Sequence, residues 1–183
     1  LLSQEKGSEI HVTNGLSIST SGVWAIGAYA AWGGQIDLAD ATIETSGTFG
    51  VAAYSYNGAH IEIVDSRLET SGAGASGVVV YAAGNAPAGY TKATAAVSGT
   101  NIVTLGAGAH GLVATNGEIE AEDSDVDAAG WAAMADGGTN SFILTGTTMI
   151  GAEGLLNVVD TSDTSFSADA STLTGRILTG AGS

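Results

Sequence analysis

Gly34-Gln-Ile-Asp-Leu-Ala-Asp-Ala-Thr-Ile-Glu-Thr-Ser-Gly47 is followed by Ala59-His-Ile-Glu-Ile-Val-Asp-Ser-Arg-Leu-Glu-Thr-Ser-Gly72, which repeats it with few changes. Ile36 corresponds to Ile61, Leu38 to Ile63, Ile43 to Leu68, and Thr45-Ser46-Gly47 to Thr70-Ser71-Gly72, each one step of 25 residues away. A fixed period of this length marks a stacked-repeat architecture, in which each unit buries its apolar face only against its neighbours. Within each copy apolar and polar residues alternate, as in Ile36-Asp37-Leu38, which is the period of a strand. Two or three short strands and their turns per unit make one coil of a parallel β-helix, so the fold class is all-β.

Carried outward, the first inward residue of each coil is Ile10, Ile36, Ile61, Ala95, Ile119, Phe142 and Phe166, at intervals of 26, 25, 34, 24, 23 and 24. Seven coils at about 4.8 Å each give a rod of roughly 34 Å. The 26-residue interval holds one extra residue near Gly15, read as a bulge. The 34-residue interval holds an insertion around Asn85-Ala-Pro-Ala-Gly-Tyr-Thr-Lys92, read as a loop projecting from the shaft. The chain, 1–183, is otherwise a single domain.

Turn residues recur in place. Gly33-Gly34, Asn57-Gly58, Asn116-Gly117 and Asp136-Gly137 stand just before new coils, and Ser-Gly pairs at 21–22, 46–47 and 71–72 mark a second corner. Asn and Gly tolerate the positive φ that tight corners require. Two GxGxxG segments, Gly72–Gly77 and Gly106–Gly111, occupy that second corner and run into β-patterned residues. The phosphate-binding use of this pattern needs a following helix, so these are corner glycines.

Lys6, Arg67, Lys92 and Arg176 oppose nineteen acids, for a net charge of −15. That balance excludes nucleic acid as a partner and electrostatic docking on anionic membranes. A hydrophobic content of 44% excludes a disordered acidic tail, and the absence of cysteine excludes disulfides and thiolate metal sites. No apolar run reaches transmembrane length, and the first residues carry no export signal.

The unit Gly-x-x-Ile-x-Leu-x-x-Ala-x-Ile-x-Thr-Ser-Gly, then Gly-Val-x-Ala-Tyr and a Gly-Gly or Asn-Gly corner, resembles the pertactin-like passenger domain of bacterial autotransporters. The resemblance runs from about Gly7 to Gly175. It implies a right-handed parallel β-helix displayed on or released from the surface of a Gram-negative cell, with a signal peptide upstream and a membrane barrel downstream, both outside this chain. It implies as partners a host-cell surface, a glycan or the passenger of a sister cell. Passengers of this kind are often adhesins, and some carry enzymes.

No catalytic residue, metal ligand or cofactor is assigned. Asp123-Ser-Asp125-Val-Asp127 begins like a calcium loop, but Ala128 and Met134 stand where Gly and the bidentate Glu belong, leaving Glu118 to Asp127 a solvated face. His11, His60 and His110 are scattered, with His11 expected in a surface ion pair. Of the basic groups a polysaccharide-cleaving enzyme needs, the best-formed coils offer Arg67 alone, expected beside Thr42 and Asn101 with Asp65 nearby. Tyr29, Tyr54 and Tyr81 each follow an inward residue, are read as one outward column, and with Tyr90 in the insertion are the candidate ligand-binding residues. Their plainer role is an in-register ladder that stabilises the sheet; their functional role is to bind sugar rings or a protein strand. The sequence reading is therefore a non-enzymatic, extracellular adhesive shaft, with a polysaccharide lyase or hydrolase as the alternative.

The register carries a test. Burying Ile61 contributes about 1.5–3 kcal/mol and an inward carboxylate adds a desolvation cost, so Ile61→Asp is expected to lower Tm by about 10 °C or more. Glu62→Gln, one position on and facing outward, is expected to leave Tm within about 2 °C in the same thermal melt.

Overall fold

The structure, a computed structural model, describes residues 1–159 and 163–179. Every regular element in it is a β-strand. The coil containing Ile36 shows the unit: Ile26–Ala31, Gln35–Ala39 and Thr42–Thr45 form three sides of a triangle, and Val51–Tyr56, His60–Val64 and Arg67–Thr70 repeat them one layer on. Stacking gives three parallel sheets of eight, seven and seven strands, called faces A, B and C. This is a parallel β-helix of about seven turns, as the repeat predicts.

The face B ladder pairs Ile10, Ile36, Ile61, Ala95, Ile119, Phe142 and Phe166 in that order, coil on coil. Ile36, Ile61, Ile119 and Phe142 are at most 1% exposed. On face C the inward column is Ile18, Ile43, Leu68, Ile102, Val126, Met149 and Leu173. Face A contributes smaller residues, among them Ala28, Ala53 and Val78. A second column explains why. Cβ atoms added at Gly27, Gly77 and Gly111 would lie 2.4 Å from side-chain carbons of Ile43, Ile102 and Val126 on face C. The triangle is narrow there, and large residues on face C leave room only for small ones opposite.

Three corners close the triangle. Between faces C and A, Cβ atoms at Gly47, Gly72 and Gly106 would fall within 2 Å of the glycine carbonyl oxygen one coil before, so this backbone column admits no side chain. Gly106 follows Gly72 directly in this column, so the additional residues of the 34-residue interval lie between them. Between A and B stand Glu5, Trp32, Asn57, Ala82, Asn116 and Gly137, all but Ala82 with positive φ. Asn57 Oδ1 accepts the Ala83 N–H at 2.8 Å, and Asn116 Nδ2 donates to the Ala82 carbonyl at 3.0 Å, so these two asparagines tie neighbouring coils together.

The B-to-C corner was not foreseen. Asp40, Asp65, Gly99, Asp123, Gly146 and Ala170 occupy it with positive φ, and all but Asp40 are followed by Ser or Thr. Ser66, Thr100, Ser124 and Ser171 each donate a hydroxyl to the carbonyl two residues back, at 2.7–2.9 Å. The same oxygens accept the N–H of Ala41, Ser66, Thr100 and Thr147 from the preceding coil, at 3.0–3.2 Å. A hydroxyl both donates and accepts, so one residue per coil satisfies both the turn and its neighbour. The extra residue at 13–16 lies at this same corner.

The outer surfaces of B and C stack like charges. Asp37 is opposite Glu62 and Glu44 opposite Glu69. At about 5 Å in water each such pair costs on the order of 0.8 kcal/mol. Three of the basic side chains interrupt these columns: His11 Nδ1 lies 2.6 Å from Asp37, Lys92 Nζ 2.7 Å from Glu118, and Arg67 pairs with Glu69. The expected His11 ion pair and the Thr42–Arg67–Asn101 stacking are thus both present.

One inward column is polar. Thr20, Thr45, Thr70 and Thr104 stack on face C; Thr104 donates to the Ala109 carbonyl at 3.0 Å, whereas the hydroxyls of Thr20, Thr45 and Thr70 are enclosed without a partner. An enclosed hydroxyl without a partner costs roughly 1–3 kcal/mol, while an isosteric methyl costs nothing comparable. Thr70→Val is therefore expected to raise Tm by about 2–8 °C. Thr104→Val, which breaks a made bond, is expected to lower it, and paired thermal melts check both signs.

Candidate functional site: an aromatic layer on face A

Face A differs from the others in charge. Of all its strands, only Asp136 at the end of Trp131–Asp136 supplies a carboxylate. Its central outward column reads Leu2, Tyr29, Tyr54, Val79, Val113, Met134, Asn157 and Leu178. A neighbouring column reads Gln4, Ala31, Tyr56, Tyr81 and Thr115. On a chain of net charge −15 this is an uncharged strip, apolar for most of its length.

Its first three coils carry aromatic rings. Tyr29 stacks on Tyr54 with centroids 5.4 Å apart, Tyr54 on Tyr56 at 6.1 Å, and Tyr56 on Tyr81 at 5.8 Å with planes inclined by only 10°. Trp32 meets Tyr56 edge-on at 5.5 Å and Tyr90 edge-on at 5.8 Å. Offset and edge-to-face pairs at these separations each contribute about 0.5–1.5 kcal/mol beyond the area they bury. Ala31 shares the outward column of Tyr56 and Tyr81 yet is 1% exposed, so the rings seal the sheet beneath them.

This geometry corrects the predicted column. Tyr81 does not stack on Tyr54; Val79 does, and Tyr81 pairs with Tyr56, which sequence reasoning passed over. Tyr29, Tyr54 and Tyr81 are also not three solvent-facing rings. Tyr81 is 36% exposed, whereas Tyr29 and Tyr54 are partly buried among their neighbours. The period itself contains the right answer, since Tyr56 and Tyr81 are 25 residues apart and Tyr54 and Tyr81 are 27.

The insertion follows Ser76–Tyr81 and precedes Ala93–Ser98. Rather than simply standing away from the shaft, it turns back across it. Ala86 N–H donates to Ala83 O and Tyr90 N–H to Pro87 O, both at 2.9 Å, closing two turns. Tyr90 then lies over the corner glycines of two earlier coils: a Cβ on Gly58 would be 2.8 Å from Tyr90 Cα, and one on Gly33 would be 3.3 Å from its ring. Those glycines are the seat that admits the ring.

A second exposed pair was also missed. Trp24 and Phe49, one repeat apart at the C-to-A corner, stack at 4.7 Å and are 68% and 44% exposed. Both hold positive φ, at a position where the next two coils use Gly74 and Gly108. Bulky residues rarely take that conformation.

Among the described residues no group of three or more His, Asp or Glu side chains is placed to hold a metal ion. Among them, no helix is long and apolar enough to cross a membrane. His60 Nδ1 lies 2.8 Å from Thr94 Oγ1, and His110 Nδ1 accepts the Trp131 N–H at 3.1 Å. Burial lowers the His110 pKa, consistent with a neutral acceptor. A scan against protein-family models, and searches of curated proteins and of solved structures, return no match.

Burial raises the pKa of Tyr54 strongly and that of Tyr29 to a lesser degree, reinforced by the neighbouring phenols. A phenol whose folded pKa exceeds its unfolded value near 10 contributes stability that is complete below about pH 10 and lost as pH rises through the folded value. Ultraviolet titration of phenolate is expected to show a native phase later than that of the urea-unfolded chain. Tyr54→Phe is expected to remove that phase and move alkaline unfolding to higher pH.

Proposed function

We propose that this chain is a non-enzymatic, extracellular β-helical shaft that acts in adhesion or cell–cell contact through face A. The observation that carries this reading is the partition of the rod's surface. Carboxylates occupy faces B and C, while face A presents a nearly uncharged apolar strip with six contiguous aromatic rings at one end. Acidic faces keep a rod soluble and repel copies of itself. An aromatic strip does the opposite locally, because Tyr and Trp give large contact areas with few rotatable bonds.

Within this reading the resemblance of the repeat to autotransporter passengers supplies the setting: display at or release from a Gram-negative surface, facing a host cell, a glycan or a sister-cell passenger. The membrane anchor then belongs to a barrel outside this chain. The alternative, a polysaccharide-cleaving β-helix, would rest on Arg67. That side chain is engaged with Glu69 on face C, among carboxylates that repel an acidic polymer.

Beads or cells displaying the chain test the proposal. Tyr56→Ser combined with Tyr81→Ser is expected to keep the β-sheet circular dichroism spectrum and reduce attachment to cells or sister beads at least about tenfold. Glu62→Gln with Glu120→Gln on face B is expected to leave attachment intact. Attachment indifferent to the tyrosines would overturn the reading, as would cleavage of an acidic polysaccharide abolished by Arg67→Ala.

A further inference from the structure

Beyond the open strip, one place on this rim has the makings of a discrete binding site. An open hollow lies at the A-to-B corner of the first coils, lined by Gln4, Glu5, Lys6, Trp32 and Tyr90. Trp32 and Tyr90 meet edge-on at its wall, and the three polar residues follow from Leu2–Gln4, the first strand of face A.

The corner column reads Glu5, Trp32, Asn57, Ala82, Asn116 and Gly137, and Trp32 is its one aromatic residue. The next coil has Asn57 there, with φ 44°, and a later one Asn116, with φ 49°; Asn57 Oδ1 accepts the Ala83 N–H and Asn116 Oδ1 the Thr139 N–H of the following coil. Asparagine suits that position twice over, since it tolerates the left-handed conformation and its side chain hydrogen-bonds locally. Trp32 holds φ 53° with neither advantage. A bulky aromatic ring held in a conformation that favours Asn and Gly marks a place where something other than folding sets the choice. Tyr90 is delivered to the same spot by the insertion, onto corner glycines that leave room for its ring.

The polar side is equally specific. Lys92 pairs with Glu118, Arg67 with Glu69, and Arg176 donates to the Glu153 carbonyl and lies 5.2 Å over the Trp131 ring. Among the described residues Lys6 alone of the lysines and arginines has no such engagement. Gln4, Glu5 and Lys6 together offer an amide, a carboxylate and an ammonium beside two aromatic rings. A pyranose is the ligand with that complementarity: its C–H faces lie on aromatic rings, and its vicinal hydroxyls both donate to carboxylate and amide oxygens and accept from N–H groups. Glu5 within the hollow and the field of nineteen acids disfavour an acidic sugar.

We propose that the Gln4–Glu5–Lys6–Trp32–Tyr90 hollow is a binding subsite for neutral saccharide units. The assignment rests on the adhesive reading of face A and names the chemistry of its ligand at that end of the strip.

Calorimetric titration and saturation-transfer NMR on the whole chain test it, with cellohexaose and xylohexaose as neutral probes and oligogalacturonate as an acidic one. The expected result is saturable binding of a neutral probe, weakened at least about tenfold by Trp32→Asn. That substitution gives up two ring contacts for a residue that tolerates the left-handed conformation, and it is expected to keep the β-sheet circular dichroism spectrum. Tyr90→Ser, on the inserted loop, is a second variant expected to weaken binding likewise. Neutral binding that survives both substitutions, or preference for oligogalacturonate, overturns the subsite. No saccharide binding with cell attachment intact overturns the subsite and leaves face A adhesive through a protein contact. Loss of both removes the subsite and the adhesive reading together.

Discussion

Each coil of this rod lies one hydrogen-bonding distance from the next, and that spacing governs everything else. Whatever occupies a position must tolerate its equivalent about 4.8 Å above and below. Isoleucine, leucine and phenylalanine meet the condition inside the triangle, where stacking and burial agree. At the C-to-A corner the backbone comes so close that Gly47, Gly72 and Gly106 have no substitute. At the B-to-C corner a hydroxyl meets the condition by donating within its own turn and accepting from the coil before. Carboxylates meet it poorly, and so His11, Arg67 and Lys92 sit among them.

Much of this could be read from the chain because a column is a sequence period. Ile36, Ile61 and Ile119 gave the face B ladder to the residue, including the displacement caused by the insertion. The B-to-C corner escaped because its residues share a conformation rather than a name. Asp40, Gly99 and Ala170 have little in common as side chains, and their positive φ is visible only in the backbone. The aromatic layer was half legible. Tyr29 and Tyr54 stack as their spacing implies, but alternation along one strand offers two outward positions, and Tyr81 belongs to the second. The seat of Tyr90 was not legible at all, because the direction of an inserted loop depends on contacts remote in sequence.

Columns also give exceptions a meaning they lack in an irregular fold. In a globular domain an exposed tryptophan has no equivalents to be compared with. Here Trp32 stands against Glu5, Asn57, Ala82, Asn116 and Gly137, and Trp24 and Phe49 against Gly74 and Gly108. The equivalents show what folding prefers at that position, so the departure is measurable within one molecule. All three departures border face A, the face that carries almost no charge.

The backward course of the insertion has a mechanical side. A solenoid pulled from one end can unravel a coil at a time, since each layer is held chiefly by the next. Tyr90 belongs to the segment after the third face A strand of full length, yet it rests on Gly58 and Gly33, in the two layers before. That contact works like a hasp across three turns of a spring. Tension applied at Leu1 must release the hasp before the first layer can peel, so these turns yield together, while the layers beyond Asn101 remain free to yield singly.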